Sequence, residues 1–231
     1  MTNAGMYVWV VGPYVAIAIF VAGHVWRYRV DQFGWTSRST QMLESRWLAW
    51  GSNLFHYGAL AAIGGHVLGI LVPAQLTNYI GVTEHSYHLL SAAAGTTAGV
   101  ICAAGLMILV ARRMLFPRVR VTTSYTDMAV YLLLTLIIGI GLYETIAYSA
   151  LGAGYDYRAT VAIWFRGLFI LSPKPALMAS APFIYQLHAA LAWLLFALWP
   201  FSRLVHAWSI PFQYLGRPYI LYRRRFAVTR R

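Results

Sequence analysis

The chain has 231 residues, of which 60% are hydrophobic and only 10% are charged, and its mean hydropathy is +0.60. Soluble globular proteins carry about 25% charged residues, so this composition excludes an ordinary soluble domain and indicates an integral membrane protein. The net charge of +12 could suggest a nucleic-acid partner. The basic residues are divided among separate connections, however, and we predict no nucleic-acid partner.

Five apolar stretches in chain order are long enough to cross a bilayer, which takes about 20 mostly apolar residues. They cover roughly residues 6–26, 47–72, 88–111, 127–150 and 183–209. The first is not a cleaved signal peptide, because it lacks a basic N-terminal region and is followed, not preceded, by Arg27 and Arg29. The sequence therefore predicts an all-α, five-helix membrane bundle that forms one domain over residues 1–231.

The basic residues define the orientation of the predicted bundle. Fifteen of the eighteen Lys and Arg residues lie in the first-to-second connection, in the third-to-fourth connection, and in the C-terminal segment. Only Arg158, Arg166 and Lys174 lie on the other side. Because basic residues concentrate in cytoplasmic loops, we predict an outer N-terminus and a cytoplasmic tail over residues 210–231. That tail could anchor the protein to anionic lipid or dock a soluble subunit.

The connections and the single cysteine carry weaker signals. The polar connection between spans one and two could lie on the membrane or contact a soluble partner. Aromatic residues in the connection over residues 151–182, such as Trp164 and Phe169, predict a short interfacial helix. Cys102 is alone, which excludes an intrachain disulfide and a cysteine-ligated iron–sulfur cluster, and it is predicted to be buried and inert.

Four histidines fall inside predicted spans: His56 and His66 in the second, and His188 and His206 in the fifth. Because these two spans run in opposite directions, matching depths pairs His66 with His188 in the outer half and His56 with His206 in the inner half. Ten residues separate the first two, about 15 Å along a helix, whereas eighteen separate the others, about 27 Å and five whole turns. Both pairs can form only if the helices tilt or the bound groups lie obliquely.

Paired histidines between two membrane helices predict two metal or haem sites. Bis-histidine ligation fills both axial positions of a haem, as electron transfer favours, whereas zinc usually draws on cysteine or carboxylate as well. A histidine that is merely satisfied, or that lines a water-filled cavity, is the alternative. Nearby glycines could admit a flat macrocycle or serve ordinary helix packing; they are Gly51, Gly58, Gly64, Gly65 and Gly69.

Three other histidines are weaker candidates. His24 lies near the inner end of span one, where it could contact a propionate or the membrane interface, or have no role. His85 and His88 lie at the outer start of span three and could transfer protons at a quinol site or be solvated loop residues.

Five segments closely resemble the gamma subunit of membrane-bound respiratory nitrate reductase. They are SNLFHYG (52–58), GGHVLGILVP (64–73), FPRVRVTT (116–123), QLHAALAW (186–193) and PFSRLVHAWSIPFQYLGRPY (200–219). The resemblance covers essentially the whole chain. It implies a diheme cytochrome b anchor in the bacterial plasma membrane, in which His66 and His188 bind the outer haem b, and His56 and His206 the inner one.

The resemblance also implies partners and a reaction. Members of this family oxidise a quinol, menaquinol or ubiquinol, near the outer haem and pass electrons to an iron–sulfur beta subunit. A molybdenum-containing alpha subunit then reduces nitrate, so this chain would be the quinol-oxidising part of the enzyme. Arg112, Arg118 and Arg203 are expected near the propionates of the inner haem, although the charge asymmetry alone would also put arginines there.

One departure concerns the quinol site. Better-known family members have a lysine near the start of span three, but here residues 83–88 read TEHSYH. We therefore expect quinol contacts from Gly65 and His66 with Tyr87 or His88. The alternatives are a diheme subunit that serves another oxidoreductase, such as one of sulfur metabolism, and a haem-free anchor or transporter.

Overall fold

The computed structural model describes residues 3–151 and 154–209, together with Gly216 and Pro218. Its described residues are helical, with no strand among them, and five helices are long and apolar enough to cross a membrane. These are α1 (Tyr7–Val30), α2 (Arg46–Leu71), α3 (Glu84–Leu115), α4 (Tyr125–Ser149) and α5 (Phe183–Leu198), the last extended to a 19-residue span by the 3₁₀ turn Trp199–Phe201. The predicted all-α, five-span architecture is confirmed, whereas most of the predicted tail over residues 210–231 lies outside the described residues.

Short helical segments occupy the connections. At the end of the bundle that holds the N-terminus they are Ala74–Tyr79, Val161–Phe169 and Pro175–Ala179, and at the other end they are Pro117–Arg120 and Arg203–Trp208. We call the latter the basic end, because arginines lie in or beside its connections 31–45 and 116–124; they are Arg27, Arg29, Arg38, Arg46, Arg112, Arg113, Arg118 and Arg120. The helix predicted within residues 151–182 is thus present as Val161–Phe169.

Helices α2 and α3 form the closest pair, because glycines let their backbones approach. A methyl group on Gly58 would come within 2.4 Å of the Cys102 backbone nitrogen, and one on Gly105 within 2.2 Å of the Phe55 nitrogen. Cys102 is buried in this contact, as predicted. No larger residue fits at either glycine without moving a backbone.

The neighbour order of the helices leaves a cleft on one side of the bundle. α1 packs on α5, α5 on α4, α4 on α3 and α3 on α2. α2 and α5, by contrast, are not among the closely packed pairs of described elements. α2, which carries His56 and His66, and α5, which carries His188, therefore face each other without close packing.

The fifth span differs from its predicted extent of 183–209. Its α-helix ends at Leu198, a 3₁₀ turn covers Trp199–Phe201, and Ser202 is extended, with φ −116° and ψ 178°. Pro200 cannot donate a helical hydrogen bond, and its ring crowds the preceding turn, so it breaks the helix. His206 therefore lies on a separate 3₁₀ segment, Arg203–Trp208, and not on the face of a continuous helix.

The break removes the mismatch in histidine spacing. From His188 to Leu198 the chain advances ten residues, or about 15 Å, the same rise as from His56 to His66. The chain then changes direction at Ser202, which lets His206 lie level with His56. The pairing of His56 with His206 therefore does not require a continuous helix over 183–209.

Arg27 of α1 holds the broken end of α5. It is 5% exposed and donates to the carbonyl oxygens of Pro200 at 2.7 Å and Ser202 at 2.8 Å. It also donates to Gly34 at 2.8 Å, which ties the first connection to the same point. Gly23, one turn earlier, touches the Pro200 ring, which a methyl group there would approach to 2.7 Å. These contacts satisfy carbonyl groups that the break removes from the helix.

The opposite end of the bundle has its own small core. Trp9 and Trp164 pack edge to face with centroids 5.7 Å apart, and the Trp164 indole donates to the Trp9 carbonyl at 2.8 Å. Leu168 and Met178 complete this cluster, and the Tyr14 hydroxyl donates to the Leu168 carbonyl at 2.9 Å. The long connection is thereby fastened to α1.

Substitution of Gly105 by alanine tests the α2–α3 contact. We expect Gly105→Ala to lower the free energy of unfolding by about 1–3 kcal/mol, the usual cost of an overpacked core. Gly139→Ala on α4 is the matched control, because a methyl group there meets nothing within 4 Å. Thermal unfolding of both variants in the same detergent measures the difference, and equal midpoints would contradict this packing.

Candidate functional site

The four histidines meet in two pairs across the cleft. The ring centres of His56 and His206 lie 5.9 Å apart, and those of His66 and His188 lie 6.1 Å apart. These are the pairs expected from depth.

Three of the four histidines are oriented by their own backbone. The Nδ1 atoms of His56 and His66 lie 2.7 Å from the carbonyl oxygens one turn earlier, at Ser52 and Ala62, and that of His206 lies 2.6 Å from the Arg203 carbonyl. A carbonyl can only accept, so each Nδ1 carries the proton and each Nε2 keeps a free lone pair. Metal-binding histidines show this arrangement.

His188 is held differently, by α4. A methyl group on Gly141 would approach its Cε1 atom to 2.8 Å, so only glycine lets the imidazole lie this close to α4. Its Nδ1 lies 3.3 Å from Oε2 of Glu144, one turn further along α4. Glu144 lies within the predicted span 127–150 and was missed by the sequence analysis, although a carboxyl group inside a membrane span is itself a signal of function.

The geometry suits one metal held between each pair. Two imidazoles that bind a metal through bonds of about 2 Å have ring centres about 6 Å apart. Within the described ranges no group of three or more His, Cys, Asp or Glu side chains is close enough to hold a metal ion. Two imidazoles at this spacing are the donor set of a bis-histidine haem, whose other four ligands belong to the porphyrin. The residues present therefore fit such a group.

The three arginines expected near propionates have different surroundings. Arg112 is buried and donates to Glu44 and Thr40, with its Nε 2.6 Å from the Glu44 carboxylate. Arg203 binds both oxygens of Asp127, at 2.6 and 2.5 Å, and lines an open cavity at the basic end. Arg118 is exposed on the segment Pro117–Arg120. Most Arg112 donors are thus engaged by the first connection.

The residues expected to bind quinol lie at the opposite end. Gly65 and His66 are exposed at the cleft, and a methyl group on Gly65 would meet nothing within 4 Å. Tyr87 is buried, its hydroxyl 2.7 Å from that of Tyr157. His88 is half-buried beside it, with ring centres 6.2 Å apart.

Arg158 covers Tyr87 from the long connection, and the sequence analysis did not single it out for this. Its guanidinium lies 4.0 Å from the Tyr87 ring centre and donates to Thr77 at 2.9 Å and to Glu84 at 3.2 Å. The hydroxyl of Tyr87 also abuts Gly69, one turn beyond His66. Tyr87 therefore joins the long connection to the end of α2, and its ring is less accessible than Gly65.

The remaining candidates separate clearly. His24 is half-buried, its Nδ1 2.6 Å from the Phe20 carbonyl and its ring packed edge to face against Trp35 and Trp208. His85 is exposed. The five glycines were expected to serve either helix packing or space for a flat macrocycle. Gly51 and Gly58 pack against α3, and Gly69 touches tyrosines. Of the five, only Gly64 and Gly65 face open space.

Comparison with known proteins adds independent information. Residues 5–225 match the family described as nitrate reductase gamma subunit. The chain is 42% identical over 222 residues to the nitrate reductase gamma chain of Bacillus subtilis (strain 168), covering 96% of this chain and 99% of that one. It is 35% identical over 226 residues to the respiratory nitrate reductase 1 gamma chain of Escherichia coli (strain K12), covering 97% and 100%.

A third relative is longer. The nitrate reductase-like protein NarX of Mycobacterium tuberculosis (strain ATCC 25618 / H37Rv) is 45% identical over 222 residues, which cover 96% of this chain but 34% of NarX. The similarity in each case runs through both histidine-bearing spans.

Glu44 makes the basic end sensitive to pH. Burial alone would raise the pKa of its carboxyl, but hydrogen bonds from the Trp47 and Leu48 amides and from Arg112 outweigh burial and hold the pKa below its usual value. A lowered pKa in the folded state stabilises the protein above the unfolded pKa, and this stabilisation is lost as the pH falls through the folded pKa.

We therefore expect the thermal midpoint of the wild type to fall as the pH is lowered below about 4.3, the ordinary value for glutamate. Glu44→Gln should have a lower thermal midpoint at pH 7, and its midpoint should fall less steeply as the pH is lowered. If the midpoints of the two proteins fall equally steeply with pH, this role for Glu44 is refuted.

Proposed function

The chain belongs to the nitrate reductase gamma subunit family, and on this premise we propose that it is the diheme cytochrome b membrane subunit of a respiratory nitrate reductase. It oxidises quinol at the outer side of the bacterial plasma membrane. The electrons go to an iron–sulfur beta subunit and then to a molybdenum alpha subunit that reduces nitrate. The observation that carries the proposal is the meeting of four membrane histidines in two pairs at metal-binding spacing.

The histidines are the proposed haem ligands, with His56 and His206 for the inner haem b and His66 and His188 for the outer. When bound, the two haems supply one-electron redox chemistry between quinol and the beta subunit. The backbone carbonyls that accept from Nδ1 keep Nε2 unprotonated on three of these rings and restrict their rotation. Two histidines on each haem would leave no ligand position for a substrate, which would favour electron transfer over substrate binding.

The proposed orientation has the basic end in the cytoplasm and the N-terminus outside. It is supported by the arginines in and beside the connections at that end, since basic residues are retained on the cytoplasmic side. Quinol oxidation releases two protons and two electrons. With the outer pair at the N-terminal end, the protons leave outside while the electrons move inward, which makes the step electrogenic.

Quinol is proposed to bind beside Gly65 and His66. Gly65 supports this because it leaves open space at the cleft, where a quinol ring can reach His66 from the lipid. His88 is proposed to accept a quinol proton on an imidazole nitrogen and release it to the outer side. Tyr87, held by Tyr157 and Arg158, would shape the wall of the site.

The basic end is the proposed docking surface for the beta subunit. Phe33 and Met42 of the first connection are 98% and 99% exposed there, although large apolar side chains usually avoid water. Arg112 and Arg203 hold this connection in place through Glu44, Thr40 and the Arg38 carbonyl. Arg118 and Arg203 are proposed to contact haem propionates. Arg112 could do so only if a propionate replaced Glu44 or Thr40 as its partner.

Removal of single ligands tests the pairing. His66→Ala and His188→Ala should each lower the haem content of the purified protein from two to one and leave the inner haem in place. His85→Ala is the matched control, because His85 is exposed and belongs to neither histidine pair. Reduced-minus-oxidised spectra with haem quantification measure this. A wild-type protein without a b-type band would contradict the haem proposal, and loss of both haems in correctly inserted variants would contradict the pairing.

Arg27 offers a second test of the inner site. Arg27→Ala leaves the Pro200 and Ser202 carbonyls without their donor, so the segment that carries His206 should loosen and the inner haem should be lost first. Arg29→Ala, an exposed arginine on the same helix, should keep both haems. Preferential loss of the outer haem in Arg27→Ala would overturn this account.

A further inference from the structure

The surroundings of His188 differ from those of the other three histidines in one respect. His56, His66 and His206 each direct Nδ1 at a backbone carbonyl of their own helical segment. The Nδ1 of His188 instead faces a side chain from a different helix, with Oε2 of Glu144 at 3.3 Å. The difference is built into α4 and not into the segment that carries the histidine.

Both side chains are largely shielded from solvent, and their inner polar atoms lack another partner within the described part of the chain. The side chains of His188 and Glu144 are 16% and 12% exposed. Among the described residues, His188 Nδ1 and Glu144 Oε1 have no hydrogen-bond partner. Buried polar atoms are nearly always paired, because leaving them unpaired in an apolar medium is costly. A small rotation at Glu144 would complete the bond and satisfy His188.

Gly141 brings the two together. It lies one turn before Glu144 on α4, and the absence of a side chain lets the His188 ring sit against the helix, where a methyl group would approach Cε1 to 2.8 Å. Without this close approach the ring could not reach the carboxyl group from α5. Gly141 and Glu144 thus contact the same imidazole from one face of α4.

We propose that Glu144 is the positioning residue of His188: it accepts a hydrogen bond from Nδ1–H, directs Nε2 toward His66, and makes His188 the strongest electron donor of the four. The inference rests on the proposed function, since it concerns how His188 would hold the outer haem. Carboxylate partners raise the basicity of a metal-binding histidine. A stronger axial donor favours oxidised iron, so the outer site should have a lower reduction potential than it would without Glu144.

Substitution of Glu144 by leucine removes the acceptor while keeping an apolar side chain of similar size. At a fixed potential we expect Glu144→Leu to raise the ratio of reduced to oxidised outer haem at least tenfold, which is about 59 mV for a one-electron couple. The inner haem should not shift. Glu144→Gln retains an amide oxygen as acceptor, so it should shift the outer haem in the same direction by less. Potentiometric titration of the purified protein, followed at the b-type bands, measures both haems.

Tyr143→Phe is the matched control, because Tyr143 is the preceding residue of α4 and is 55% exposed, so neither haem should shift. If Glu144→Leu loses only the outer haem, positioning of His188 is supported directly. If it fails to insert, Glu144→Gln decides by itself. Two haems with unchanged potentials in Glu144→Gln and Glu144→Leu would overturn the inference, whereas a wild-type protein without haem would overturn the proposed function instead.

Discussion

The position of the histidines depends on the break that ends α5 at Pro200. A continuous helix to residue 209 would carry His206 about 27 Å beyond His188, too far to lie opposite His56 when His66 lies opposite His188. The break instead turns the chain at Ser202, and Arg27 holds the freed carbonyls from α1. One proline and one buried arginine thus set the depth of the inner pair.

The helix order creates the space that these histidines share. Glycine contacts press α2 onto α3, and α5 is packed against α1 and α4, so that α2 and α5 face each other without close contact. The spacing of the histidine rings, 5.9 and 6.1 Å between centres, supports the proposed haem ligation in this space.

Ion pairs that each include at least one buried partner hold the connections at both ends in defined positions. Arg112 with Glu44 and Arg203 with Asp127 fix the connections of the basic end, and Arg158 with Glu84 does so at the opposite end. Such pairs add little net stability, but removing one partner leaves an uncompensated charge, and the bonded arrangement is therefore strongly preferred. The connections that carry candidate quinol and partner contacts are in this way tied to the helices beside them.

The sequence by itself determined the five spans, their charge asymmetry and the two histidine pairs, because these depend on hydropathy, on composition and on a fixed rise per residue. It did not reveal the end of α5, although Pro200 was a visible signal, since whether a proline kinks or ends a helix depends on what receives the freed carbonyls, here Arg27. The tertiary structure alone decided that Tyr87 is covered by Arg158 and that Glu144 faces His188. These contacts join residues about 40 to 70 positions apart, and only the packing of whole helices brings such groups within hydrogen-bonding distance.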